Sequence, residues 1–263
     1  MTTLQALIFD VDGTLADTER DAHRVAFNQA FTDAGLEWEW SVDRYGKLLT
    51  TAGGKERLKR YLQEDQPDFV PPTDVPTWAA TMHKAKTQHY TRLMRSGAIP
   101  LRPGVARLIQ EAQEQGIRLA IATTSAPDNV IALLETAFSP DSVSWFEVIA
   151  AGDMVPAKKP APDIYQYVLD AMEILPQHCL AIEDSRQGLL AATQAGITTV
   201  ITRSSYTQTE DFSEAALVLD HLGEPNQPFE VAAGNVQAGT YFDIMLAQQV
   251  LKSSSSQAEN SLK

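Results

Sequence analysis

Apolar and β-branched runs recur at residues 4–9, 117–122, 146–150, 179–183, 198–202 and 216–219, each of a length that suits a strand. The stretches "LAIAT" and "LAIED" are almost continuously hydrophobic, the pattern of strands covered on both faces. Between the later runs, residues 105–115, 127–138, 162–172 and 188–195 carry apolar positions at helical spacing. Strand alternating with helix predicts an α/β protein with a Rossmann-like, doubly wound parallel sheet. From 17 to 96 that rhythm stops, and "RDAHRVAFNQAFTDAG", "KERLKRYLQED" and "WAATMHKAKTQHYTRLM" read as helices. This interval predicts an inserted helical cap between core segments 1–16 and 97–222, joined by two hinge strands, with Pro100 and Pro103 stiffening the return. Trp38 and Trp40 read as cap core rather than ligands. Residues 223–252 form an extension, with the apolar spacing of a packed helix from 241 to 251. The polar stretch 253–263 predicts disorder.

Composition narrows the function. The chain has 263 residues, 44% of them hydrophobic, enough for a full core. A formal net charge of −13 opposes nucleic acid and anionic membranes as partners, so a phosphate-bearing ligand needs a local patch of positive charge. The single cysteine, Cys179, excludes an internal disulfide and reads as a core residue at a strand start. With no basic-then-apolar leader and no run of membrane-spanning length, the expectation is a cytoplasmic protein that binds a small molecule. A monomer is favoured, although the sequence does not set the oligomeric state.

Acidic residues follow the apolar runs directly. Asp10 and Asp12 stand behind the first and Glu183 and Asp184 end the fourth, with Gly13 permitting a sharp turn. In open α/β sheets, ligands bind beyond the carboxyl ends of the strands. Carboxylates from two such ends repel unless a hard cation lies among them, which predicts Mg²⁺ held by Asp10, Asp12, Glu183 and Asp184. Thr123, Thr124 and Ser125 follow the second core strand, ahead of a helix start suited to a phosphoryl group. Lys159, in "KKPAPD" after the third, supplies a cation.

With "DVDGT" at 10–14, Thr123 in "ATTS", Lys159 in "KKPAPD" and "EDS" at 183–185, the chain resembles the haloacid dehalogenase superfamily of phosphohydrolases, in its capped β-phosphoglucomutase-like branch. Within that branch, "YGKLLTTAGGKERLKRYL", "HKAKT" and "VIAAGDMVPAKKPAPDIY" look most similar to the CbbY group, phosphatases that remove xylulose 1,5-bisphosphate, an inhibitory by-product of Rubisco. The resemblance implies Asp10 as nucleophile and Asp12 as general acid and base. It implies Thr123 and Lys159 as phosphoryl holders. Mg²⁺ would be bound by Asp10, Asp184, the Asp12 carbonyl and Glu183. In the cap, Gly53, Gly54, Lys55 and Arg57 would clamp a second phosphate, and Glu19, His23 and Lys86 would meet the sugar. Two alternatives stay open at this level: a sugar-phosphate mutase and, from another class, a phospho-receiver signalling domain.

Overall fold

The computed structural model describes residues 3–51, 53–235 and 239–261, with side chains to 254. The chain divides into two compact units, Met1–Asp17 with Pro100–Lys263, and Thr18–Ile99. The second unit is thus set off a little later at each end than the 17–96 expected from the pattern.

The first unit is built on a sheet ordered β3-β2-β1-β4-β5-β6-β7. Its strands are β1 Ala6–Phe9, β2 Arg118–Thr123, β3 Val148–Ala151, β4 Cys179–Glu183, β5 Thr198–Thr202, β6 Leu217–Leu219 and β7 Val231–Ala233. The first six run parallel, and β7 pairs antiparallel with β6. All four residues of β1 are fully buried, because β2 and β4 flank it and helices cover both faces. In register, Ala6 stands beside Arg118 on one side and Cys179 on the other. The chain therefore winds outward from β1 in both directions, which puts the switch point of the sheet at the carboxyl end of β1. The sequence pattern misses β7, whose three residues are exposed and so show no alternation.

Helices α5 Val105–Glu114, α6 Pro127–Ala137, α7 Asp163–Ala171 and α8 Arg186–Gln194 cover the sheet. On one face Ile8, Ala122 and Ala181 pack against Ile164, Val168 and Ala191. The last helix, α9 Ile244–Ser261, starts where the Asp243 carboxylate accepts the Leu246 N–H at 2.7 Å. Its Leu246, Ala247, Val250 and Leu251 are buried, and Gln248 accepts the Leu4 N–H at 2.7 Å. The backbone stays helical to Ser261 where polar composition predicts disorder, since no Gly or Pro interrupts it. Leu262 and Lys263 lie outside the described residues.

In place of two hinge strands there are only single bridges, Asp12 with Ala16 and Ala16 with Leu101. Pro100 and Pro103 lack the N–H donors a longer ladder needs. Among the described residues no helix is long and apolar enough to cross a membrane.

The second unit has no strand among its described residues. A π-helical turn, Glu19–His23, leads into α1 Arg24–Asp33, followed by α2 Val42–Leu49, α3 Gly54–Asp65 and α4 Val75–Arg95. Ser41 and Asp74 cap α2 and α4 by accepting the N–H groups of Arg44 and Thr77. Aromatic rings fill the interior: Trp40 is fully buried, 4.6 Å from Phe27 and 5.3 Å from Tyr61 between centroids. Trp38, half-buried, stands edge-on to Phe69 at 4.7 Å.

Candidate active site

The Asp10 N–H extends the β1 ladder to the Ile182 carbonyl at 3.0 Å, so its side chain leaves the sheet at the switch point, 7% exposed. The chain then turns at once: Leu15 N–H donates to Val11 O at 2.9 Å and Gly13 N–H to Ala16 O at 2.8 Å. Gly13 has φ of +93°, and a Cβ there would lie 2.1 Å from Asp184 Oδ2, so conformation and space both require glycine. On the neighbouring strand, Glu183 ends β4, Asp184 follows, and Ser185 caps α8 by accepting the Gly188 N–H at 3.1 Å. A Cβ on Gly188 would stand 1.9 Å from Glu183 Oε2; the carboxylate sits directly against the first turn of α8.

Carboxylate oxygens of Asp10, Glu183 and Asp184 come within 4.8 Å of one another, all buried. Lys159 directs its ammonium at Asp10 Oδ1 (2.7 Å), Glu183 Oε1 (2.6 Å) and the Ala122 carbonyl at 2.8 Å. Tyr165 on α7 donates to the same Glu183 oxygen at 2.6 Å. Burial alone would lower the Lys159 ammonium, but Asp10 and Glu183 together hold it above its ordinary value. Burial, then the Asp10 and Glu183 charges, raises Asp184 well above the usual carboxylate range, with Ser204 and Arg102 opposing. Burial also raises Glu183, and Lys159 with Tyr165 offsets only part of that. One ammonium among three buried carboxylates leaves negative charge uncompensated, and every free donor is a hard oxygen. That set fits a small divalent cation.

The structure thus gathers Asp10, Lys159, Glu183 and Asp184. The Asp12 carboxylate is not one of these three, and the metal role expected for Asp12 is that of its backbone carbonyl. Residues two apart share a side only while the strand continues, and here the chain turns at Val11. Thr123, 1% exposed at the end of β2, accepts the Ser125 N–H at 3.1 Å; Ser125 is buried beside it, and Thr124 is exposed.

Four of the residues expected to bind substrate in the cap fall into two hydrogen-bonded groups of that unit, Glu19 with Arg57 and His23 with Lys86. Tyr45 joins the first pair: its hydroxyl donates to Glu19 Oε2 at 2.6 Å and accepts from Arg57 at 2.9 Å. Lys86, buried, donates to His23 Nδ1 at 2.6 Å and lies 4.6 Å from the centre of the Tyr90 ring. Burial, then Lys86 and Arg57, pushes His23 well below its ordinary value, so the imidazole is neutral and accepts a hydrogen bond from the lysine. Gly54 lets α3 approach α4 closely, since a Cβ would meet His83 Cδ2 at 2.5 Å. Gly53 has φ of +90°, and Lys55 is exposed.

Sequence reasoning passed over Tyr45, Tyr165, Gly188, Ser204 and Arg102. Gly188 left a trace, a glycine inside a helix start close behind "EDS". The tyrosines left none, because on a helix they read as core.

The chain is similar to known proteins over most of its length. A family model described as haloacid dehalogenase-like hydrolase matches residues 4–196. The plasmid-encoded protein CbbY of Cupriavidus necator is 48% identical over 225 residues, 86% of this chain and 88% of that protein. Protein CbbY of Rhodobacter capsulatus is 50% identical over 212 residues, 81% of this chain and 91% of its own. Among solved structures, CbbY from Rhodobacter sphaeroides with phosphate superposes with a TM-score of 0.72 at 45% identity, covering 83% of this chain and 95% of that one. A mutant of the same protein in complex with xylulose-(1,5)bisphosphate matches equally well.

Proposed function

The chain belongs to the haloacid dehalogenase-like hydrolases, and we propose that it is a Mg²⁺-dependent phosphatase that converts xylulose 1,5-bisphosphate to xylulose 5-phosphate. The observation that carries the reaction class is a buried Asp10 at the switch point, bonded to Lys159 and grouped with Glu183 and Asp184. Identity of 45% with the CbbY crystallised with xylulose-(1,5)bisphosphate, and of 46–50% with three CbbY proteins, supports the choice of sugar.

Asp10 attacks the phosphorus of the reacting phosphate. A bond forms between phosphorus and a carboxylate oxygen, and the bond to the sugar oxygen breaks. Asp12 gives its proton to the departing sugar oxygen. It then takes a proton from water, which attacks the same phosphorus, frees Asp10 and releases inorganic phosphate. Lys159 balances charge on Asp10 and, with Thr123 and the backbone of the loop before α6, holds the phosphoryl oxygens. Asp10, Asp184 and Glu183 would hold Mg²⁺ with the Asp12 carbonyl. When bound, the ion supplies positive charge that lets an anionic phosphate approach an anionic nucleophile. In the cap, Gly53, Gly54, Lys55 and Arg57 bind the phosphate that does not react, and Glu19, His23 and Lys86 bind the sugar hydroxyls.

The test is phosphate release from xylulose 1,5-bisphosphate measured beside a panel of pentulose and hexose monophosphates. The expected result is one phosphate per bisphosphate, xylulose 5-phosphate as product, and slower turnover of the monophosphates. Isomeric sugar phosphate formed without phosphate release would overturn the phosphatase reading in favour of a mutase.

A further inference from the structure

Arg102 lies in the loop ahead of α5 and is only 8% exposed. Its guanidinium donates to the Gly13 carbonyl, to the Thr202 carbonyl at 2.8 Å and hydroxyl at 3.2 Å, to the Arg203 carbonyl at 2.7 Å and to the Asp220 carbonyl at 2.6 Å. Asp17 Oδ1 is 3.8 Å from its Nε. The backbone N–H of the same residue donates to Leu15 O at 2.8 Å, and Leu101 bridges Ala16. One residue therefore grips the turn that follows Asp10 at two points, Gly13 by side chain and Leu15 by main chain. It fastens that turn to the carboxyl ends of β5 and β6. A guanidinium spreads its donors in a rigid fork that can serve several carbonyls at once, which a lysine ammonium cannot reproduce.

The gripped turn carries Asp12, whose backbone lies between Val11 and the held Gly13. We infer that Arg102 is a positioning residue for Asp12, fixing the turn so that the Asp12 carboxyl meets the departing sugar oxygen. This inference rests on the proposed role of Asp12 as proton donor. A purely structural Arg102 would satisfy strand-end carbonyls, and its loss would slow every substrate alike. A positioning Arg102 matters most where the leaving group needs a proton.

The experiment compares kcat/KM for xylulose 1,5-bisphosphate with kcat/KM for p-nitrophenyl phosphate, whose phenolate departs without protonation. The quantity kcat/KM reports the steps through departure of the leaving group, and the ratio on one preparation cancels the fraction folded. In Arg102→Lys and Arg102→Met the ratio should fall about 10-fold, because a misplacement of about 1 Å costs up to about 100-fold in the step it disturbs. Asp12→Asn is the reference and should lower the ratio further. If Asp12→Asn leaves the ratio unchanged, the proton-donor reading falls and takes this inference with it. A lowered ratio in Asp12→Asn with an unchanged ratio in both Arg102 variants overturns the inference alone. Should the Arg102 variants not fold, Thr202→Val, which removes one acceptor, decides: a ratio about 2-fold lower supports the positioning role, and an unchanged ratio overturns it.

Discussion

Replacing Lys159 by methionine removes the one ammonium inside the acidic group while keeping an apolar stem of similar length. The Lys159 side chain is 6% exposed and bonds Asp10, Glu183 and the Ala122 carbonyl. Removing one partner of a buried ion pair costs about 3–5 kcal/mol, since the other charge is left without compensation. Tyr165, still 2.6 Å from Glu183, keeps the cost toward the lower end. At roughly 2–4 °C per kcal/mol for a chain of this size, a cost near that lower end should drop the melting temperature by about 6–12 °C. The sign with pH also follows. Glu183 is already raised by burial, and without Lys159 it rises further. Between the unfolded carboxylate value of about 4.3 and that raised value, the folded variant keeps a proton the unfolded chain has released, so its stability falls as pH rises. Urea unfolding in EDTA, which keeps divalent ions out, should therefore show a deficit against wild type that is larger near pH 8 than near pH 5.5. A deficit below about 1 kcal/mol near pH 8, or one that grows toward acid, would refute the view that Lys159 compensates this cluster.

Other positions give independent tests. Gly188→Ala puts a methyl against the Glu183 carboxylate, and should cost about 1–3 kcal/mol in unfolding and lower kcat about 10-fold or more; unchanged kinetics would show that Glu183 can move freely. His23 is held neutral by burial and Lys86, so the unfolded chain takes up its proton first as pH falls, and stability is lost below about pH 6.5. Thermal unfolding across that range should show the loss, and His23→Gln should flatten it. Lys55→Ala should raise KM for xylulose 1,5-bisphosphate about 10-fold while leaving KM for monophosphates nearly unchanged; equal effects on both would remove Lys55 from reading the second phosphate.

The sheet was readable because β2 and β4 are covered on both faces, which makes "LAIAT" and "LAIED" continuously apolar up to their polar ends. Asp10, Glu183 and Asp184 were readable for the same reason: charge placed directly behind such a run has no role in the core. Asp12 was harder, because a turn closing at Val11 cannot be told from one more strand residue by spacing alone. Tyr45 and Tyr165 were hidden because a phenol on a helix looks apolar, while its hydroxyl partners, Glu19 and Glu183, lie far off in sequence. Arg102 was hidden because it bonds mainly backbone carbonyls, which leave no mark on residue type. β7 and the end of α9 were missed where exposed or polar residues gave no buried face to follow.

The central claim is that Asp10 itself becomes phosphorylated, and chemical quenching during turnover tests it most directly. Protein quenched in acid while turning over xylulose 1,5-bisphosphate with Mg²⁺, then reduced with borohydride and digested, should show homoserine at residue 10 by mass spectrometry, because hydride reduces an acyl phosphate to the alcohol and expels phosphate, and Asp10→Asn should abolish both the homoserine and phosphate release. Steady phosphate release with residue 10 unmodified, or full turnover by Asp10→Asn, would contradict the account.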